Sequence, residues 1–378
     1  MPGRDADIVI VGAGIGGLTT AIALAQAGYQ PVVCEKASRI QDIGGAITIR
    51  TNATRILKNI GVFDALAPFS SKISSASVYN QDGKFLRRWR LPTGIGTIII
   101  RRTDLQLALL DHLRGCPHRL LLDHACVNFE QGRDKIVAIF SNDSVVDGAA
   151  LIGADGLNSS VRRQIVGNEP ASYRGYVQWR FISNDRHPIV CPTEKMEWWG
   201  SGLRFGVSPL AGGMAWYVSV NSPSPDWRGG NDVKDYFLEL FKNWANPVIE
   251  MISEVQPERL VWTSIYDRPC TDKWGDERAT LLGDAAHPFT PDLGLGGALA
   301  IEDAEELCRC LCECDHIRQS LRLYEKRRIE KARLISVKSR FTGEMTQWSN
   351  PVMVAARDTL VSACPAFIWN KKINETYT

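Results

Sequence analysis

Between Ile8 and Cys34 the chain carries no charged residue, yet it places glycines at 12, 14, 16 and 17. By length alone such a run could cross a membrane. The glycines and Pro31 argue against one continuous apolar helix. The reading that satisfies both is strand, tight turn, helix, strand. It puts a buried strand at Ile8–Val11, a helix over roughly 16–27 stopped by Gly28, and a second buried strand at Pro31–Cys34 ending at Glu35. Within the turn, Gly12 permits the sharp reversal, Gly14 lets the backbone approach a diphosphate, and Gly17 lets the helix lie close to the sheet. The helix N-terminus supplies free N–H groups and a positive dipole end. Glu35 stands eighteen residues past Gly17, at the strand tip, where a carboxylate accepts both ribose hydroxyls. Ile15 and Gly16 inside the turn, and Lys36 beside Glu35, complete this candidate dinucleotide site. An acid at this position argues against NADP as the resident ligand, because a 2′-phosphate would meet a like charge.

With 378 residues the chain has room for two domains, or for one large domain with an inserted lobe. Its formal net charge of +2 gives no nucleic-acid footprint and no acidic tail. The opening MPGRDAD does not read as a secretory signal, since Asp5 and Asp7 accompany its only basic residue. Ten cysteines without a regular framework suggest free thiols and a cytoplasmic setting. Cys308, Cys310, Cys312 and Cys314 would form two i,i+4 pairs on a helix. No CxxC spacing accompanies them, so small buried thiols are expected there rather than a metal.

No second GxGxxG follows a strand; Gly200-Ser201-Gly202 lacks the third glycine in register, and no redox CxxC is present. One resident nucleotide is therefore expected, and two further segments complete its site. In ALIGADGLNSSVRR, Leu151 and Ile152 run as a strand into Gly153-Ala154-Asp155-Gly156, and Ser159, Val161 and Arg162 open a helix. In LLGDAAHPFTPDLGLGGALAIEDA, Asp284 ends a buried strand over 279–282, where it can reach a ribose or ribityl hydroxyl. Pro288, Pro291, Gly294, Gly296 and Gly297 then form a loop whose N–H groups converge at the start of a helix over 298–314. A helix start suits a group that becomes negative, such as the N1/O2 edge of a reduced flavin. The third segment thus looks built to hold an isoalloxazine ring, which makes the nucleotide FAD.

The three segments together, in this order and spacing, resemble the single-component FAD-dependent aromatic hydroxylases, the group A flavoprotein monooxygenases of p-hydroxybenzoate hydroxylase fold. GGAITIRTNATRILKNIGV, IIIRRTDLQLALL, YDRPC and LYEKRR resemble further landmarks of that family. The resemblance implies an α/β fold: a Rossmann-like FAD-binding domain of the GR2 type, an inserted antiparallel β-sheet substrate lobe and C-terminal helices. It suggests FAD-domain segments 1–70, 98–170 and 277–330, lobe segments 71–97 and 171–276, and a helical end over 331–378. It also implies roles. Glu35 would hold the adenosine ribose, and Arg102 and Gln106 the phosphates or ribityl chain. Val127 would border the nucleotide. Asp155 would serve FAD and the visiting NADH or NADPH. Asp284 would bind the ribityl or pyrophosphate part. Pro291 and Gly294 to Gly297 would hold the pyrimidine side, with Gly45 and Ala46 at the ring edge. Where the family often writes Gly-Gln-Gly, this chain has Gly294-Leu295-Gly296, which keeps the backbone loop and removes a polar side chain.

The middle of the chain carries the expected substrate contacts. YRGYVQWRF and EWWGSGLRFGVSPLAGGMAWYVSV alternate as antiparallel strands with one face over a cavity. Arg180 and Arg204 are candidates to hold the substrate, and Tyr217 joins them as a catalytic candidate. The segments around Arg204, Trp216 and Tyr217 resemble the zeaxanthin epoxidase-like and urate hydroxylase-like branch. Some phenol hydroxylases place a His or Tyr before the proline that is Pro209 here; this chain has Ser208, so no evident phenol base stands there. His287 is not expected to be a base, and the tryptophans at 179, 198, 199 and 216 are expected in core or cavity wall. The implied reaction inserts one atom of O2 into an apolar aromatic or olefinic small molecule at the expense of NAD(P)H; the alternative is a flavin oxidase or reductase without oxygen insertion. Expected partners are a small-molecule substrate, no nucleic acid and no transmembrane segment. The C-terminal SNPVMVAARDTLVSACPAFIW could touch a membrane surface or make a homodimer, though core packing is its default, and a monomer is equally open.

Overall fold

A computed structural model describes residues 7–40, 44–92, 95–230 and 232–365. Its central sheet has six strands, ordered Gly275–Asp276, Ala279–Leu281, Ala150–Gly153, Asp7–Val11, Gln30–Cys34, Arg119–Leu121. All its pairs are parallel except the short one between 275–276 and 279–281. Its inner strands are unbroken apolar runs at 8–11, 31–34 and 150–153 because both faces are covered. Helix Ile15–Gln26 covers one face and is itself wedged against helices Gly296–Glu313 and Arg102–Arg114. Its small Ala, Gly and Thr side chains let it stay buried from Ile15 to Ala25. A three-stranded antiparallel sheet, Cys126–Gln131, Ile136–Phe140 and Val145–Gly148, covers the other face.

The lobe is a seven-stranded sheet in the order Val261–Asp267, Ser172–Ser183, Gly213–Asn221, Leu203–Leu210, Glu194–Trp199, Ser75–Asn80, Phe85–Arg90. It is antiparallel except where Ser75–Asn80 runs parallel to Glu194–Trp199. Helices Val233–Phe241 and Asn246–Ser253 cover one face, where Trp179, Trp198, Phe205, Phe237 and Phe241 make a separate core. Gln178 and Arg180, alternating with Trp179, look the other way into the cavity.

Three expected boundaries, at 70/71, 97/98 and 330/331, fall inside elements. Ser70–Ile73 pairs with Thr97–Arg101 and Ala46–Ile49 in a small sheet beside the nucleotide domain, so the chain enters the lobe only at Ser75. A single thirty-residue helix, Ile317–Thr346, runs through position 331. It starts on the nucleotide domain and ends at the lobe, where Arg340 and Thr346 bind Asp267 and Arg204. Helix Pro351–Ala363 then packs on Phe85–Arg90, with Arg87 Nε donating to Val361 O at 3.0 Å; the rest of the expected C-terminal segment lies outside the described residues.

Candidate active site

The strand tips of the central sheet and the open face of the lobe enclose a cavity of about 1050 Å3, above the ~300–1,000 Å3 that takes an ordinary drug-sized ligand. At one end lies the first glycine turn. Gly12 adopts φ +108°, and a Cβ there would stand 2.5 Å from Ala154 O. A Cβ on Gly14 would meet no protein atom within 4 Å, so this backbone is bare toward the cavity. Gly17 does not border the cavity; its Cβ would lie 2.0 Å from Gly12 O, and it serves the packing of helix on turn. Helix Ile15–Gln26 has no side-chain N-cap, which leaves its first N–H groups for a ligand. Glu35 takes Ala13 N–H on Oε2 at 2.8 Å and Ala37 N–H on Oε1 at 3.0 Å. Each oxygen keeps a second lone pair for a hydroxyl. Ile15, Gly16 and Lys36 border the same end.

Three expected residues sit differently from their expected roles. Gln106 borders the cavity, but its Nε2 donates to Ala13 O at 2.7 Å and braces the glycine turn. Asp155 turns its carboxylate onto its own helix, accepting from Ser159 Oγ at 2.5 Å, Ser160 N at 2.8 Å and Ser160 Oγ at 3.0 Å. It shapes the turn rather than offering a free carboxylate. Val127 is a correction: its side chain is 52% exposed, because strand alternation turns Cys126 to the cavity and Val127 to solvent.

The other end is built by the third segment. Asp284, in the short turn Gly283–Ala285, caps no helix and is exposed to the cavity. Pro291 opens a turn that ends at Gly294 with φ +62°, and helix Gly296–Glu313 begins without a side-chain cap. A Cβ on Gly296 would be 3.9 Å from Asp284 Oδ1, and one on Gly297 would strike Ile47 at 2.4 Å. Leu295, standing in place of the family's glutamine, is buried in the core. Gly45, with φ +90°, accepts Arg102 N–H on its carbonyl at 3.0 Å, and Ala46 follows it along the cavity edge.

Behind this loop lies a charged bracket that the sequence did not reveal. Asp303 Oδ2 takes His287 Nε2 at 2.6 Å and Gly283 N–H at 3.1 Å, and Oδ1 takes Arg328 Nε at 2.6 Å. Burial alone would raise the Asp303 carboxyl, but Arg328 and His287 outweigh it and hold it at about 2. His287 is buried and does not border the cavity. Arg162, also buried, donates to Ala285 O at 3.1 Å and Ala286 O at 2.8 Å, tying the second segment to the third.

The lobe wall carries Gln178, Arg180, Lys195, Arg204, Ser208 and Tyr217. Arg180 has no ion pair or hydrogen bond among the described residues. Its pKa is pushed down to about 10, first by burial and then by the like charge of Arg102. Arg204 is committed: Nη2 donates to Asp292 Oδ1 at 2.5 Å and Nη1 to Thr346 Oγ1 at 3.1 Å. Its guanidinium lies 5.4 Å from the Tyr217 ring centroid. Burial pushes the Tyr217 phenol well above its ordinary value, so it is no base at neutral pH. His124, on the nucleotide side, is the one described histidine that borders the cavity. Among the described residues no three His, Cys, Asp or Glu side chains group for a metal, and no helix is long and apolar enough to cross a membrane.

A bare glycine turn with its acid, a second uncapped helix start at the far end and a cavity spanning both fit FAD. Joined to an antiparallel lobe that closes over the second helix start, they define the class: an FAD-dependent monooxygenase, for which NAD(P)H and O2 are the general co-substrates. Comparison with known proteins agrees. The profile of the family described as "FAD binding domain" matches residues 5–336, and the chain belongs to that family. It is 32% identical over 363 residues to an aurachin C monooxygenase/isomerase of Stigmatella aurantiaca, covering 94% of this chain and 93% of that protein. It is 28% identical over 346 residues to an FAD-dependent urate hydroxylase of Klebsiella pneumoniae, covering 89% and 90%. The structure of Klebsiella pneumoniae HpxO complexed with FAD and uric acid superposes with a TM-score of 0.91 at 25% identity, over 98% of this chain and 96% of that one.

Proposed function

We propose that this enzyme inserts one atom of O2 into an electron-rich aromatic or heteroaromatic small molecule held between the flavin and the wall formed by Gln178, Arg180 and Tyr217. The observation that carries this reading is the cavity itself. Beside the two helix starts at its ends, it is walled by the polar side chains of the lobe, Gln178, Arg180 and Tyr217 among them. When bound, FAD supplies reduction by NAD(P)H and the activation of O2. This chain's residues do the remaining work. The bare turn at Gly14 and the Glu35 carboxylate would hold the nucleotide. The N–H groups after Gly294 would serve its pyrimidine side, where a helix start favours negative charge. Arg180, an unpaired guanidinium, holds an electron-rich oxygen of the substrate. Among the described wall residues Tyr217 stays protonated and Ser208 occupies the place before the proline, so neither serves as a phenol base. This favours a substrate that needs no deprotonation by the protein. The relatives named above, which act on urate and on an aurachin, support a nitrogen-containing ring over a simple phenol. We also propose a two-part division in which the lobe comprises 75–92 and 171–276 and the remainder belongs to the FAD domain and its helices.

The test is substrate-stimulated NAD(P)H oxidation by the purified yellow protein under 18O2. Incorporation of one labelled atom into product is expected. Stoichiometric NAD(P)H loss with no label in the organic product would instead assign a flavin oxidase or reductase.

A further inference from the structure

Gln178 lies on strand Ser172–Ser183 between Val177 and Trp179, which pack into the lobe's core. Successive side chains of a strand point to opposite faces, so Gln178 and Arg180 share the face that borders the cavity. The register sets Gln178 opposite Ser219 on one side and Thr263 on the other. Gln178 is only 4% exposed. Its Nε2 donates to Ser219 Oγ at 3.0 Å, and Ser219 is itself fully buried. The amide oxygen, Oε1, has no hydrogen bond among the described residues. That oxygen is nevertheless not sealed inside the protein; the open space it meets is the cavity.

The two ends of an amide are told apart by their neighbours. Arg180 stands two residues further along the same face, with no ion pair or hydrogen bond among the described residues. Its positive charge favours the amide oxygen, rather than the amide N–H groups, toward the space the two side chains share. That space therefore offers one acceptor, Gln178 Oε1, beside the donors of one guanidinium. Two such residues stand about 6–7 Å apart along a strand, close enough for one small ring to meet both. A buried acceptor left without a donor costs free energy, so a molecule that displaces water from Gln178 must bring a donor of its own.

We propose that Gln178 is a specificity-determining residue that accepts a hydrogen bond from a ring N–H or O–H of the substrate, while Arg180 holds an oxygen of the same ring and Ser219 keeps the amide oxygen turned to the cavity. The class selected is a ring carrying both groups, such as a lactam or a vinylogous amide. The inference rests on the monooxygenase reading above and narrows its substrate class. A site built to accept a substrate N–H rejects the analogue that lacks it.

The test uses FAD-loaded full-length enzyme and two pairs of near-isosteric probes: 2-quinolone against coumarin, and 4-quinolone against chromone. The second member of each pair replaces the ring N–H by oxygen and adds no bulk. The readout is perturbation of the bound flavin's visible spectrum, which needs no turnover. In at least one pair the N–H member is expected to half-saturate at a concentration about tenfold lower. Gln178→Met keeps the length of the side chain and removes the acceptor, so the preference should fall below about twofold. Ser219→Ala frees the amide to turn its N–H groups to the cavity and should lower the preference as well; if Gln178→Met sheds FAD, Ser219→Ala decides. Equal binding within both pairs, no flavin perturbation by any probe, or a preference that persists undiminished in either variant would overturn the proposal. Failure of the monooxygenase reading looks different: a protein that takes up no FAD, or one that consumes NAD(P)H without labelling product.

Discussion

Arg180 is a guanidinium kept where a guanidinium is disfavoured. Burial and the neighbouring Arg102 both press against its charge, and no described carboxylate relieves it. A buried charge without a partner destabilises the fold that holds it. Arg180→Met is therefore expected to raise the melting temperature of the ligand-free protein, by roughly 1–3 °C on the scale linking stability to Tm. The same change should lower kcat/KM for a substrate at least tenfold, because the charge is retained for the ligand it meets. A lower Tm in differential scanning would contradict this account of Arg180. Asp303 is the opposite case, a buried carboxylate with every partner it can use. Its folded pKa of about 2 lies below the ordinary 3.8. The stability it contributes is thus fully present above about pH 4 and is lost as pH falls toward 2. Asp303→Asn should destabilise by about 3–5 kcal/mol at neutral pH, since Arg328 is left without its main partner. Its acid unfolding limb between pH 4 and 2 should be shallower than that of the native protein, which urea titrations at several pH values would show.

Helix Ile15–Gln26 meets two demands through different glycines. Gly14 has open space where a Cβ would go, whereas Gly17 has the Gly12 carbonyl 2.0 Å away. Gly14→Ala should leave the apoprotein's Tm within about 1 °C and weaken FAD binding about tenfold or more, because only the ligand's diphosphate comes close there. Gly17→Ala should lower the apoprotein's Tm first, by an overpacking cost of about 1–3 kcal/mol. Thermal melts without FAD, set beside flavin-fluorescence titrations, separate the two. The contrast also explains what could be read in advance. Helix Ile15–Gln26, the strands around it and helix Gly296–Glu313 were legible because glycines, charge-free runs and helix starts are local signals, each confined to a few adjacent residues. Val127 was misjudged because inward and outward positions alternate along Cys126–Gln131, and a bare apolar residue does not declare its side. Asp155 was readable as part of a turn but not as an acceptor for the first N–H of the helix that follows, since a carboxylate at a strand end serves either role. Glu197 drew no notice: strand register, not spacing, brings it into line with Gly206 and Tyr217.

At the scale of the whole molecule, the nucleotide domain and the lobe are held together by two buried carboxylates with different duties. Asp292, in the flavin loop, takes Arg204 from the lobe at 2.5 Å and Tyr176 OH at 2.6 Å, and Arg204 continues to Thr346 at the end of the long helix. Asp267, at the end of a lobe strand, takes Arg174 Nε at 2.6 Å and Arg340 Nε at 3.0 Å from that same helix. Both side chains are fully buried. No sequence pattern foretold either bracket, for the partners are 73 to 93 residues apart or more; Arg204, which lines the cavity, is also the bracket's cation. Only Asp292 lies in the loop proposed to hold the flavin. Removing either charge strands an arginine, so Asp292→Asn and Asp267→Asn should each destabilise by about 3–5 kcal/mol. Their effects on the cofactor should part company. Asp292→Asn loosens the turn before Gly294 and should weaken FAD binding about tenfold, whereas Asp267→Asn should leave it within twofold once measured below the melting range. The double change Arg204→Met with Asp292→Leu removes both charges and should recover at least about 2 kcal/mol relative to the sum of the single losses, the sign of a directly coupled pair. Equal loss of FAD affinity in both aspartate variants would mean that the lobe governs the flavin site through general closure, and that Asp292 has no particular hold on the loop.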